Sequence, residues 1–341
     1  MRRFARYFLC FSAALFLAGC GSGKLVSIKS PRSSRIAFTS DRTGLLQAYV
    51  MDADGKGLIR ISYTSGSVYS PRWAPAGDRL LFNGKDSISG PGMDIFVVAS
   101  NGAGQVNLTN SPDVFDGEAV WSPDGTKIAF VTSRDLDDEL YVMSSNGTGP
   151  LRLTNNPLPD SQPLWSPTGD WISFISTRND TTDLYATTPD GSNLIRLTRS
   201  ATVEYDPAWA PDGSSIAFSG GNIDTLQIFV VRLNGSGETR LTNSLRPVRE
   251  PSWSPDGMQI AYAAGDGIHV MNRDGSNDHW LSSTNRFDRS PIWSPDGRSI
   301  AFVYQENFNW EVYVMASDGS GRQNLSQNPT TDRDPAWRPL P

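Results

Sequence analysis

One tryptophan recurs along the chain at a nearly constant interval. Trp73, Trp121, Trp165, Trp209, Trp253, Trp293 and Trp337 are spaced 48, 44, 44, 44, 40 and 44 residues apart, and the first six precede a Ser-Pro or Ala-Pro pair. Self-similarity at a fixed period of this length decides architecture before any local reading does. Two further markers keep the same count. An Asx-Gly pair sits between two apolar runs in every unit: Asp54-Gly55, Asn101-Gly102, Asn146-Gly147, Asp190-Gly191, Asn234-Gly235, Asp274-Gly275 and Asp318-Gly319. These residues tolerate positive φ, so each pair predicts a hairpin. An apolar triplet begins at Ile36, Leu80, Ile128, Ile172, Ile216, Ile260 and Ile300.

One complete unit, WSPDGTKIAFVTSRDLDDELYVMSSNGTGPLRLT from Trp121 to Thr154, holds four short β-type runs with turn residues between them. Its Ser-Pro-Asp-Gly step suits a type I turn, with Pro fixing φ at the second position and Gly serving the fourth. The runs are nearly continuous in apolar residues, as expected of strands covered on both faces. A lone four-stranded unit cannot supply that cover, whereas neighbours stacked in a ring can. The prediction is an all-β fold, a seven-bladed β-propeller of four-stranded antiparallel blades.

The two ends of the chain then have to meet. The first unit starts at Ser30-Pro31-Arg32 with Lys29 where tryptophan is due, so it lacks an innermost strand. The tail, Asp334-Pro335-Ala336-Trp337, supplies one and nothing follows it. Pairing of the C-terminal strand with the N-terminal blade closes the ring and leaves no open sheet edge. The competing arrangement puts residues 25–29 in that slot and leaves the tail loose.

These units resemble the TolB-like β-propeller repeats, marked by Pro-x-Trp-Ser-Pro-Asp-Gly, then Ile-Ala-Phe, a Tyr-Val-Met strand and an Arg-Leu-Thr ending. The resemblance covers residues 29–341. It implies the repeat type more firmly than the task, because such repeats serve scaffolds, enzyme regulatory domains and lyases alike. The family's namesake carries an α/β domain before a six-bladed propeller, whereas here only about ten residues separate Cys20 from the first unit.

The N-terminus reads as an export signal. Arg2, Arg3 and Arg6 precede a mostly apolar stretch from Tyr7 to Leu17, closed by Leu17-Ala18-Gly19-Cys20. The run is shorter than the ~20 apolar residues a membrane span requires. The ending resembles a bacterial lipobox, which implies residues 1–19 as signal peptide, Cys20 as lipid attachment site, 20–28 as tether and 29–341 as propeller. Several acyl chains hold firmly where one is marginal. Gly21 in place of an aspartate favours outer-membrane anchoring facing the periplasm. Against 36 Asp and Glu, the 30 Lys and Arg lose three with the leader, leaving 27 and a net charge of −9. That balance argues against nucleic acid. With Cys10 removed and Cys20 blocked, no disulfide is expected.

In an up-and-down blade the Pro-Asp-Gly and Asx-Gly turns share one end, and the remaining connections share the other. Length variation concentrates at the second end, in residues 84–94 and 263–267, which marks it as the recognition face. Three residues before each tryptophan stand Ser70, Glu118, Gln162, Asp206, Glu250, Ser290 and Asp334. Two positions further back come Asp116, Asp160, Glu204, Asp288 and Asp332, with Tyr69, Tyr205, Arg249, Arg289 and Arg333 interleaved. The proposed binding surface is Tyr69, Glu118, Tyr205, Asp206, Arg249, Glu250, Arg289, Arg333 and Asp334, an acid-rich mouth suited to an envelope protein or peptide partner. A glycan bound or cleaved at the same mouth is the alternative. No GxSxG elbow and no EF-hand spacing occurs, and the two histidines, His269 and His279, fall at strand positions; a non-catalytic scaffold without cofactor or metal is expected. His269 takes the aromatic slot held by Tyr49, Phe96, Tyr141, Tyr185, Phe229 and Tyr313 in other units.

Overall fold

The computed structural model describes residues 34–86, 92–178, 181–199, 202–234, 237–282 and 288–340. The leader, Cys20, the tether and the alternative 25–29 strand lie outside them. Within them the strands form seven four-stranded antiparallel sheets, each a blade. Blade 1 is ordered Asp332–Trp337, Arg35–Ser40, Gln47–Asp52, Ile59–Arg60 from the inside out, so the C-terminal strand is its innermost member. Ile36 lies opposite Trp337 and Ser40 opposite Asp332. Blades 2 to 7 follow in chain order, their inner strands at Val68–Trp73, Asp116–Trp121, Asp160–Trp165, Val203–Trp209, Arg249–Trp253 and Asp288–Trp293. The expected closure is the observed one.

The core lies between blades. Val50 and Ile61 of blade 1 pack with Trp73, Leu80 and Phe82 of blade 2, while Ile36, Phe38 and Met51 pack with Ala301, Val312 and Val314 of blade 7. Each of these side chains is buried, and full burial of such a group stabilises by about 1.5–3 kcal/mol. Blade 1 is therefore held on both faces by parts of the chain far away in sequence.

The recurrent tryptophan has a polar task as well as an apolar one. Trp121, Trp209 and Trp253 donate their indole N–H to the carbonyls of Arg72, Leu164 and Ala208, the residue before the tryptophan of an earlier blade. Trp337 donates to Ile292 at 3.0 Å and Trp73 to Ala336 at 3.1 Å, which carries the same link through the closing strand.

The hairpin turns differ from the simple expectation. Only the glycine of each described Asx-Gly pair is left-handed, as at Gly319 with φ 82°. The Asx side chain instead accepts the backbone N–H two residues on, for example Asp318 from Ser320 at 2.9 Å. A short carboxylate satisfies the turn from outside it, so the Asx residue itself escapes the left-handed region.

Candidate functional site

The inner strands of all seven blades converge on a central channel. Every residue three positions before a tryptophan has left-handed backbone: φ is 51° at Ser70, 52° at Glu118, 54° at Gln162, 55° at Asp206, 58° at Glu250, 52° at Ser290 and 55° at Asp334. None is glycine, and each sits where the register between inner and second strand shifts, as between Tyr69 and Arg72 or between Arg289 and Ile292. Left-handed conformation in a non-glycine residue costs on the order of 1–2 kcal/mol. A ring of hydrogen bonds offsets it. Asp206 N–H donates to the Gln162 side chain at 2.8 Å, Glu250 N–H to Asp206 at 3.3 Å, Ser290 N–H to Glu250 at 2.6 Å and Ser70 N–H to Asp334 at 3.3 Å. Gln162 N–H donates likewise to Glu118. Each long side chain thus caps the bulge of the next blade, and the ring is interrupted only after Ser70 and Ser290, whose hydroxyls are too short to reach.

This ring gives the predicted residues a structural task beside any recognition. Burial pushes the Glu118 carboxyl up, only partly countered by the Gln162 amide, and the charge of Asp138 pushes the same way. Burial likewise pushes Glu250 up, with Asp206 adding to it, against the Ser290 amide and the charges of Arg289 and Arg249. The acids two positions further back do not form a solvated mouth. Asp116, Asp160, Glu204, Asp288 and Asp332 are all fully buried. Arg134 pairs with Asp116 at 2.9 Å, Arg42 with Asp332 at 3.3 Å and Arg322 with Asp288 at 3.4 Å, while Glu204 accepts the Leu184 amide at 2.7 Å. They lock strand to strand.

Below the ring the channel wall is apolar or small at six of seven positions, with Val120, Leu164, Ala208, Ser252, Ile292 and Ala336 directly before their tryptophans. The seventh is Arg72, which sequence reasoning passed over. Its side chain lines the channel, exposed to the solvent within it, and the protein crowded around it draws its pKa below the ordinary value against the pull of Asp334. Cavities of about 330 Å³ and 430 Å³ adjoin it, the first walled by Glu118, Gln162 and Asp206, the second by Asp206, Glu250 and Ser290.

A third cavity, about 240 Å³, opens at the rim and gathers Glu250, Arg289, Arg333 and Asp334 with Trp310 and Val303. Four predicted residues therefore meet here. Glu118 and Asp206 line the channel, and Tyr69, Tyr205 and Arg249 line none of these three cavities. Around the same end, loop tips present large apolar side chains to solvent: Leu136 is 95%, Phe308 97% and Leu245 99% exposed. Leu136 and Phe308 also have left-handed backbone, with φ 88° and 66°. These tips and Trp310 lie outside the repeat consensus; the aromatic pair Phe308 and Trp310, at the turn and the start of the strand Asn309–Ala316, was the available signal.

His269 fills the aromatic slot as expected, its ring 5.3 Å from that of Tyr262. It also contacts Asp266 at 3.1 Å and Asp278 at 3.3 Å. Among the described residues no three His, Cys, Asp or Glu side chains are grouped so as to hold a metal ion. No described helix is long and apolar enough to cross a membrane.

A family profile described as the TolB beta propeller domain matches residues 95–202 and 160–341. TolB from Acinetobacter baumannii has a similar structure, with TM-score 0.60 and 21% identity over 91% of this chain and 68% of that one. An oligogalacturonate lyase in complex with manganese reaches TM-score 0.67 at 14% identity, over 83% of this chain and 85% of its own. An uncharacterized protein of Agrobacterium fabrum (strain C58) is 31% identical over 110 residues, which span 30% of this chain and 37% of the relative.

Proposed function

The chain belongs to the TolB β-propeller family, and from that premise we propose that it is a non-catalytic scaffold that binds a protein or peptide partner at the mouth end of its channel. The supporting observation is the concentration of exposed Leu136, Leu245 and Phe308 at the end that also carries the rim cavity. Large apolar groups cost solubility when left in water and gather where a partner covers them. The polar rim between them, with Tyr205, Arg249 and Arg289, supplies orientation and specificity. The leader and Cys20 would hold the scaffold on a bacterial envelope membrane, facing the periplasm, as a lipid-anchored protein.

The test is a pull-down from envelope extracts with wild type and with a triple alanine variant at Tyr205, Arg249 and Arg289. A specific envelope protein retained by the first and lost by the second supports the reading. A melting temperature raised by soluble oligosaccharide, with no protein crosslinked in intact cells, assigns the mouth to a glycan instead.

A further inference from the structure

The rim cavity between blades 7 and 1 has a charge arrangement of its own. Arg289 and Arg333 occupy equivalent positions, four before the tryptophan, on adjacent inner strands, and both are exposed. Other arginines lying over aromatic rings have a polar partner as well: Arg134 lies 5.1 Å from the Tyr141 ring and bonds Asp116, Arg322 lies 4.2 Å from the Tyr304 ring and pairs with Asp288, and Arg79 and Arg338, over Trp121 and Trp73, donate to the carbonyls of Gly125 and Gly77. Arg289 lies 5.8 Å from the Trp310 ring, and neither its guanidinium nor that of Arg333 makes a hydrogen bond or ion pair among the described residues.

The two acids in the same wall do not take them. Glu250 accepts the Ser290 amide at 2.6 Å, and Asp334 accepts the Thr39 hydroxyl at 3.0 Å as well as the Ser70 amide. Two guanidiniums without a direct ion pair, beside an indole in a space of about 240 Å³, match a planar monoanion joined to an apolar or aromatic group. A dianion such as phosphate would meet Glu250 and Asp334 at close range. We propose that this cavity is a carboxylate-recognition subsite for an extended peptide, in which Arg289 and Arg333 take the carboxylate and Trp310 stacks on the residue beside it. The proposal deepens the partner-binding reading and rests on it. The carboxylate has two sources, an Asp or Glu side chain or the free C-terminus of the peptide.

The probe is a random heptapeptide library with free C-termini, selected on the intact chain and on Arg289→Ala/Arg333→Ala. Both arginines are exposed and unbonded, so the variant should melt with wild type, which a thermal scan verifies. The expected result is binders rich in Asp or Glu, or dependent on their terminal carboxylate, with each single alanine weakening a selected peptide roughly tenfold or more. Amidating the C-terminus separates the two sources: binding lost on amidation assigns the terminus, and binding kept assigns the side chain. Arg289→Glu/Arg333→Glu should turn the selection toward Lys and Arg. Binders that need Leu136 or Phe308 but show no acidic preference, or that bind the double alanine variant equally well, overturn the subsite and leave the partner-binding reading standing. A library yielding no binder contradicts both.

Discussion

The indole N–H of Trp73 donates to the carbonyl of Ala336 at 3.1 Å, across 263 positions of sequence. Ala336 belongs to the strand that completes blade 1, so the repeat's own signature residue in blade 2 grips the tail of the chain. Trp337, on the other side, grips Ile292 of blade 7. The ring is closed without a covalent bond, by the same indole contacts that Trp121, Trp209 and Trp253 make to an earlier blade.

Removal of residues 334–341 should therefore destabilise the whole propeller and not merely fray one blade. It deletes an inner strand, two blade-to-blade indole bonds and part of two apolar clusters. Trp337→Ala alone should cost about 3–5 kcal/mol. Thermal and urea denaturation of the truncated and substituted chains check both.

The bulge ring predicts a gain as well as losses. Ser70 cannot reach the backbone of Glu118, whereas asparagine can, and it also tolerates left-handed backbone better than serine. Ser70→Asn should raise stability by about 0.5–1 kcal/mol. Asp206→Ala, which removes the acceptor for Glu250 N–H and for the Ser219 hydroxyl at 2.9 Å, should cost about 1–2 kcal/mol. Equilibrium unfolding of both variants measures the difference.

Blade 6 should carry a pH signature. Burial works against the charged His269, but the hydrogen bonds and charges of Asp278 and Asp266 outweigh it and raise its pKa above the ordinary 6.5. A histidine with a raised folded-state pKa contributes stability that is fully present below about pH 6.5 and lost as pH rises through the folded value. The melting-temperature gap between wild type and His269→Phe should be widest near pH 5.5 and should narrow on the alkaline side. A scan from pH 5 to 9 reads this directly.

Blade number, strand order and closure were legible in the sequence because they follow from a period. Trp73 to Trp337 counts the blades, and the unmatched Lys29 at one end and Trp337 at the other require each other. What the period could not reveal is the backbone at Glu118 or Asp206. Their acids read as a ligand-facing mouth, yet a left-handed bulge turns each toward the next blade's amide, and nothing in residue type announces a bulge when no glycine marks it. Asp116 and Asp332 were misplaced for a related reason: their arginine partners, Arg134 in the second strand of blade 3 and Arg42 in the loop just after the second strand of blade 1, are brought to them only by the fold. Arg72 and Trp310 depart from the consensus at their positions, and both line the cavities of the candidate site.

Site-specific photocrosslinking in intact cells tests the central claim, that the mouth end is the recognition face, most directly. A photoreactive residue placed at Phe308 or Leu136 should capture one discrete partner, and the same residue at Met258, 57% exposed in the Pro-Asp-Gly turn of the opposite end, should capture none. Equal capture at both ends, or capture at Met258 alone, would contradict the account.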